Sequence, residues 1–108
     1  MNYSVVIPSF KRSDILIKCL SSILNQTLKP FEILIVDNNT SYESKKLFLI
    51  VEKFKSQSFV NIRLLKSTKN SGSLARNIGA KNSNCELIAF LDNDVILDKN
   101  YYKILIKY

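Results

Sequence analysis

The sequence predicts an α/β fold: an open, mainly parallel four-stranded sheet with helices on both faces. Three observations predict it. Four short apolar runs alternate with segments of helical periodicity, the order expected of strand–helix crossovers. The runs are apolar almost throughout, as strands buried on both faces are. At 108 residues, 46% of them hydrophobic, the chain is one domain's worth of protein with enough apolar side chain for a core.

Taken in order, Tyr3 to Ile7 reads as a buried strand expected to stop at Pro8, which cannot donate to a sheet ladder. Ser9 to Arg12 is a loop. From Ser13, an expected N-cap, Ile15, Leu16, Cys19, Leu20, Ile23 and Leu24 recur at helical spacing until Asn25-Gln26-Thr27 and Pro30 end the helix. Phe31 to Val36 is the second strand, closed by the turn formers Asp37-Asn38-Asn39. Thr40-Ser41-Tyr42-Glu43 fits a capping box, and Leu47, Phe48, Ile50, Val51 and Phe54 are expected to form the buried stripe of a second helix. Val60 to Leu65 is the third strand. After the polar loop Lys66 to Gly72, Ser73 to Ser83 reads as a third helix packing through Ala75, Gly79 and Ala80, although Gly79 lowers its propensity. Glu86 to Leu91 is the fourth strand, and Tyr101 to Ile106 a last helix capped by Asp98.

Sixteen Lys and Arg against nine Asp and Glu give a net charge of +7, which favours anionic partners. The lysines are dispersed, with no arginine-rich run and no nucleic-acid module, so a solvated basic surface is expected and nucleic acid is not. Cys19 and Cys85 sit in no metal-ligand or redox spacing and read as reduced residues. No apolar run reaches the roughly 18 to 20 residues of a membrane span, and Met1 leads straight into a strand, so the expected location is the cytoplasm.

In an open parallel sheet, ligands sit at the carboxyl ends of the strands, beside the point where strand order reverses. With order 3-2-1-4, that rim carries Pro8 to Arg12, Asp37 to Asn39 and Asp92 to Asp94. Alternation along a strand points Asp92 and Asp94 the same way if extended geometry persists through Asn93. Two such carboxylates suit Mg²⁺ or Mn²⁺, which in turn takes oxygens from a diphosphate; the alternative is a polar turn that merely ends a buried strand. Asp37 could accept hydrogen bonds from a base or ribose, or cap a turn. Phe10 could stack on a nucleobase, or be buried under the neighbouring helix. Arg76 could pair with phosphate or a rim carboxylate, or be an ordinary surface arginine.

Together, Val5-Val6-Ile7-Pro8-Ser9-Phe10-Lys11-Arg12, Glu32 to Asn39, Gly72-Ser73-Leu74-Ala75-Arg76-Asn77-Ile78-Gly79 and Ile88 to Asp94 resemble glycosyltransferase family 2, in that family's order and over virtually the whole chain. The resemblance implies a GT-A fold with a Rossmann-like nucleotide-binding half, a nucleoside-diphosphate sugar (a UDP-sugar among the candidates) as donor, Mg²⁺ or Mn²⁺, and inverting transfer to a glycan or lipid-linked acceptor hydroxyl. It places Pro8, Ser9, Phe10, Arg12, Asp37, Asn38, Arg76 and Asp92 at the nucleotide, with Asp94 and Asp92 at the metal. Ser9 and Phe10 stand where the family usually shows Thr and Tyr, and Asn38 where it often shows Asp, which leaves base identity open.

The resemblance also implies an acceptor-binding half beyond the final motif. Residues 1–108 are thus expected to form a nucleotide-diphospho-sugar-binding domain without that half, and no residue is assigned as catalytic base. Asp98, the one carboxylate after the motif, reads as a helix cap. Peripheral association with the cytoplasmic face of a membrane, oligomerisation, or supply of the other half in trans stay open. Two alternatives compete. One is a non-catalytic nucleotide-sugar-binding fragment or one piece of a split protein. The other is a haloacid dehalogenase-like phosphatase, whose Asp-x-Asp signature Asp92-Asn93-Asp94 also fits, but which carries it after the first strand.

Overall fold

The structure, a computed structural model, describes residues 2–39, 41–67 and 71–107. Strands β1 (Tyr3–Ser9), β2 (Glu32–Asp37), β3 (Asn61–Lys66) and β4 (Leu87–Phe90) alternate with helices α1 (Leu16–Leu24), α2 (Ser41–Gln57), α3 (Gly72–Asn82) and α4 (Tyr101–Lys107). All strand pairs are parallel and the order is β3-β2-β1-β4, as the sequence predicts. Thr40, on which the expected capping box rests, lies outside the described residues, as do residues 68–70 of the loop before α3.

Strand β1 does not stop at Pro8 but continues to Ser9, with Pro8 opposite Val36 of β2. The hydrogen bonds explain this. The Val6 carbonyl accepts from Leu91 N–H at 3.0 Å and the Ser9 carbonyl from Asn38 N–H at 2.9 Å, so even positions of β1 turn their peptide groups toward β4 and odd ones toward β2. Strand β4 ends at Phe90, opposite Val6, so the missing N–H of Pro8 faces a side where no strand remains to be served.

Side-chain alternation divides the core in two. Tyr3, Val5 and Ile7 of β1 with Ile33 and Ile35 of β2 pack against Leu16, Leu20 and Ile23 of α1, Leu47 and Val51 of α2, and Tyr102 of α4. Val6, Leu34 and Val36 pack against Ala75 of α3. Helices therefore cover both faces, three on one and one on the other. Each fully buried Leu or Ile contributes roughly 1.5–3 kcal/mol. In α2 the inward stripe is Leu47, Val51 and the half-buried Phe54, spaced i, i+4 and i+7; Phe48 stands one position off that stripe and is exposed, contrary to the sequence expectation, while Ile50 is half-buried at its margin.

The helix ends also differ in part from expectation. Ser13 does not cap α1: a 3-10 turn, Ser13–Ile15, precedes the helix, and the Ser13 hydroxyl donates to Glu43 Oε2 at 3.2 Å. Ser71 caps α3, its hydroxyl accepting from Leu74 N–H at 3.3 Å. Gln26 was expected only to end α1, yet it is fully buried, accepting from Tyr102 N–H at 3.0 Å and donating to the Asp98 carbonyl at 2.6 Å, which ties α4 to α1. Asp98 does mark the entry to α4, with its carboxylate accepting Asn100 N–H at 2.9 Å and its carbonyl Tyr101 N–H at 3.0 Å.

Candidate functional site

Parallel strands bring their carboxyl ends to one rim, and the register aligns three residues across it. Ser9 of β1 lies opposite Asp37 of β2, and Asp37 opposite Lys66 of β3. Strand order reverses between β1 and β4, so the turn after β4 borders the same rim.

Beyond Asp37 the chain makes a tight, internally bonded turn. The Asp37 carboxylate accepts from Asn39 N–H at 2.8 Å, a side-chain-to-backbone bond two residues on that stands in for a backbone turn. Its carbonyl accepts from Ser67 N–H at 2.9 Å. Lys66 Nζ reaches the Asn39 carbonyl at 2.7 Å, Ser44 Oγ at 2.9 Å and Asp37 Oδ2 at 3.4 Å. Three polar atoms at this place, Ser9 Oγ, Asn38 Oδ1 and Asn39 Nδ2, are buried with no hydrogen-bond partner among the described residues. An unpaired buried polar atom costs on the order of 1–3 kcal/mol, so three together call for a ligand or ordered water to satisfy them.

The loop after β1 has unusual backbone. Lys11 and Arg12 are both in the left-handed region, at φ 56° and 47°, where side chains with a Cβ are strained. The Lys11 N–H donates to Asn39 Oδ1, so the loop is held by the same turn that carries the unsatisfied atoms. The bend leaves Phe10 on the surface at 40% exposure, with Lys11 Nζ 5.2 Å from the ring centre, and so rules out its burial under the helix. The Arg12 guanidinium is exposed and lies 3.8 Å from Asp14, a pair of negligible strength at such exposure.

Extended geometry does not persist through Asn93, so the alternation that would have aligned Asp92 with Asp94 is absent. Strand β4 ends at Phe90, and residues 92–95 form a turn in which the Asp92 carbonyl accepts Val95 N–H at 3.3 Å. The buried thiol of Cys19 on α1 lies 3.7 Å from the Asp92 carbonyl, and burial first, then Asp94 and Asp92, push its pKa up to about 12. Both carboxylates are exposed, and neither enters an ion pair among the described residues. No group of three His, Cys, Asp or Glu forms there or elsewhere among them. Two hard oxygen donors on an open rim fit a cation that completes its shell with phosphate oxygens and water, which is how Mg²⁺ is commonly held.

Arg76 is exposed on the first turns of α3, its guanidinium folded back over Gly72, where a Cβ would stand 3.6 Å from Nη1. A surface cavity of about 460 Å³ lies at the opposite end of the sheet between Asn2, Phe31, Asn84 and Leu87. Size alone therefore does not locate the chemistry. Sequence reasoning placed Asn39 on the rim without giving it a role, and missed Lys66 as a rim residue. The signal was present, since a 3-2-1-4 order brings the end of the third strand to the same rim as the first and second.

The family described as glycosyl transferase family 2 matches residues 4–108. The chain is 33% identical over 107 residues to the poly(ribitol-phosphate) beta-N-acetylglucosaminyltransferase TarP of Staphylococcus aureus (strain N315), covering 97% of this chain and 32% of that protein. The structure of S. aureus TarS 1-349 in complex with UDP-GlcNAc superposes with a TM-score of 0.78 at 26% identity, over 99% of this chain and 30% of that one. A mannosyltransferase of Pyrobaculum calidifontis, solved with GDP-Man and Mn²⁺, shares the fold, with a TM-score of 0.76 at 17% identity over 91% and 29% of the two chains. The chain thus spans a third or less of the length of each of these proteins.

Proposed function

The chain belongs to glycosyltransferase family 2, and on that premise we propose that residues 1–108 form the nucleotide-sugar-binding half of a glycosyltransferase whose donor is a UDP-sugar. The observation that carries this reading is the trio of buried, unsatisfied atoms at the ends of β1 and β2. A hydroxyl, an amide acceptor and an amide donor held together suit the alternating donors and acceptors of a nucleobase and ribose. UDP-GlcNAc bound to the TarS structure supports uridine as the base.

In this reading Asp37, Asn38 and Ser9 face the nucleoside, and Pro8 shapes the loop beside it. The exposed ring of Phe10 supplies a stacking surface for the base, a contact worth roughly 1–3 kcal/mol. Arg12 and Arg76 approach the diphosphate, where a guanidinium can pair bidentately. Asp92 borders the ribose and the metal, and Asp94 is the direct metal ligand. Mn²⁺ or Mg²⁺, when bound, neutralises charge that develops on the departing diphosphate. Transfer is to a hydroxyl of a glycan or lipid-linked acceptor with inversion. Asp98 is engaged with Asn100 N–H in the entry to α4 and is not assigned as the base that inversion requires. Among the described residues no helix is long and apolar enough to cross a membrane.

Calorimetric titration of the chain with UDP, with and without Mn²⁺, tests the assignment. Metal-dependent binding of UDP that disappears in Asp94→Ala is expected. Absence of nucleotide binding, or undiminished metal dependence in Asp94→Ala, defeats it.

A further inference from the structure

Lys66 shares the rim with the site proposed for a diphosphate, and a cation in that position would ordinarily be a phosphate ligand. Its geometry says otherwise. An ammonium has three N–H donors and no acceptor. Lys66 Nζ has three acceptors within reach, the Asn39 carbonyl at 2.7 Å, Ser44 Oγ at 2.9 Å and Asp37 Oδ2 at 3.4 Å. All three lie on one stretch of chain, from the end of β2 to the first turn of α2. The donors are spent inside the protein.

What they hold is the turn that carries the unsatisfied atoms. Asp37 Oδ1 accepts from Asn39 N–H while Oδ2 meets Lys66, so the carboxylate bridges the turn to the end of β3. Asn39 Oδ1 is taken by Lys11 N–H, which leaves its Nδ2 as the buried, unpaired donor beside Asn38 Oδ1 and Ser9 Oγ. The Lys66 side chain is 55% exposed and Asp37 6%, so removing the cation strips a nearly buried carboxylate of its charged partner without opening the core.

We propose that Lys66 is a positioning residue for the nucleoside end of the donor site: it ties Asp37, Asn39 and Ser44 together so that the turn presents its buried amides to base and ribose, and it does not touch the diphosphate. The proposal rests on the nucleotide-binding reading above. It reaches past that reading by dividing the rim cations by role, with Lys66 acting on the nucleoside and Arg76 left for phosphate.

The test titrates the full chain, as wild type, Lys66→Met and Lys66→Arg, with uridine, with UDP plus Mn²⁺, and with inorganic pyrophosphate plus Mn²⁺, followed by amide NMR shifts. Met keeps the apolar stem and removes every donor. Lys66→Met is expected to weaken uridine and UDP by one common factor of about ten, the scale of a partly exposed charge-assisted hydrogen bond set, and to leave pyrophosphate unchanged. Lys66→Arg, which keeps charge and donors, recovers most of the loss. Weakening of UDP and pyrophosphate with uridine unchanged makes Lys66 a phosphate ligand and overturns the proposal, as do unchanged affinities for all three. Wild type that binds neither uridine nor UDP overturns the nucleotide reading itself. Should Lys66→Met fail to fold, Ser44→Ala removes one tether from the α2 side; a smaller loss, still equal for uridine and UDP, is expected, and an unequal one refutes the role.

Discussion

Gly79→Ala isolates the contact that sets α3 against the sheet. A Cβ at position 79 would stand 2.3 Å from Val6 Cγ1 and 3.0 Å from Cγ2. Carbon atoms rest at about 3.5–4.0 Å, so the helix would have to lift by more than about 1 Å. Val6 cannot yield: it is fully buried, it is β-branched, both of its methyls lie in the path, and its strand is paired on both sides. Overpacking costs about 1–3 kcal/mol, and this site lies at the upper end. Helix propensity returns about 1 kcal/mol in favour of Ala, leaving a net destabilisation of about 2 kcal/mol. For a domain of this size that lowers Tm by about 8–16 °C. Thermal unfolding of wild type, Gly79→Ala, Val6→Ala and the double variant completes a cycle in which Val6→Ala costs less in the alanine background by about 1 kcal/mol or more. A Gly79→Ala Tm equal to or above wild type would show that propensity alone governs this helix and that the close approach to β1 carries no energetic weight.

Four further outcomes follow from the same geometry. Phe10→Ala should weaken uridine binding about tenfold while Phe10→Tyr preserves it, as titration would show; equal affinity in both variants removes the ring from the site. With Asp92 and Asp94 as the proposed metal ligands and no group of three His, Cys, Asp or Glu among the described residues, Mn²⁺ affinity should rise when UDP is present and by the same factor as UDP affinity rises with Mn²⁺, while uridine leaves it unchanged; calorimetry in both orders reads this reciprocity. Burial alone would raise the Glu32 pKa, but hydrogen bonds from Asn84 and Ser4 and the nearby Arg63 outweigh it and hold the carboxyl below its usual 4.5. A depressed folded-state pKa stabilises above pH 4.5 and is lost as pH falls through the folded value, so denaturant midpoints should drop on acidification below 4.5, and Glu32→Gln should flatten that drop. In the native chain iodoacetamide should modify Cys85 and spare Cys19, whose buried thiol is pushed up to about 12, with both modified after unfolding; mass spectrometry counts the adducts.

The order of elements and the strand order were legible because strand and helix periods differ and crossover handedness leaves few topologies. Chain-local signals failed where a distant residue decides the outcome. Pro8 reads as a stop until β4 is known to end opposite Val6. Gly79 reads as a weak point in a helix until Val6 is placed beneath it. Gln26 reads as a terminator, although its amide joins helices 76 residues apart in sequence through Tyr102. Turn chemistry and position point to Ser9, Asp37 and Asn38 as rim residues, and the register sets Ser9 opposite Asp37 with Asn38 N–H bonded to the Ser9 carbonyl. The expected convergence of Asp92 and Asp94 rests on strand alternation, which the turn at residues 93–94 abolishes.

The two ends of the proposed donor site rest on opposite physics, which on that proposal bears on how a donor is selected. At the nucleoside end the polar groups are buried, fixed by one another and by Lys66, and short of partners, so a base that cannot supply the right donors and acceptors leaves amides unsatisfied in a site where that costs most. At the far end Asp92 and Asp94 are exposed, where solvent screens their charges and the protein makes little geometric demand on a ligand. On the proposed reading, discrimination among nucleotides belongs to the turn between β2 and α2. A cation held there as proposed would contribute affinity for any diphosphate. Replacing Asn38 by Asp would place a second carboxylate beside Asp37 at the selective end, so the amide at 38 lets the turn offer a neutral acceptor to the base without adding charge there.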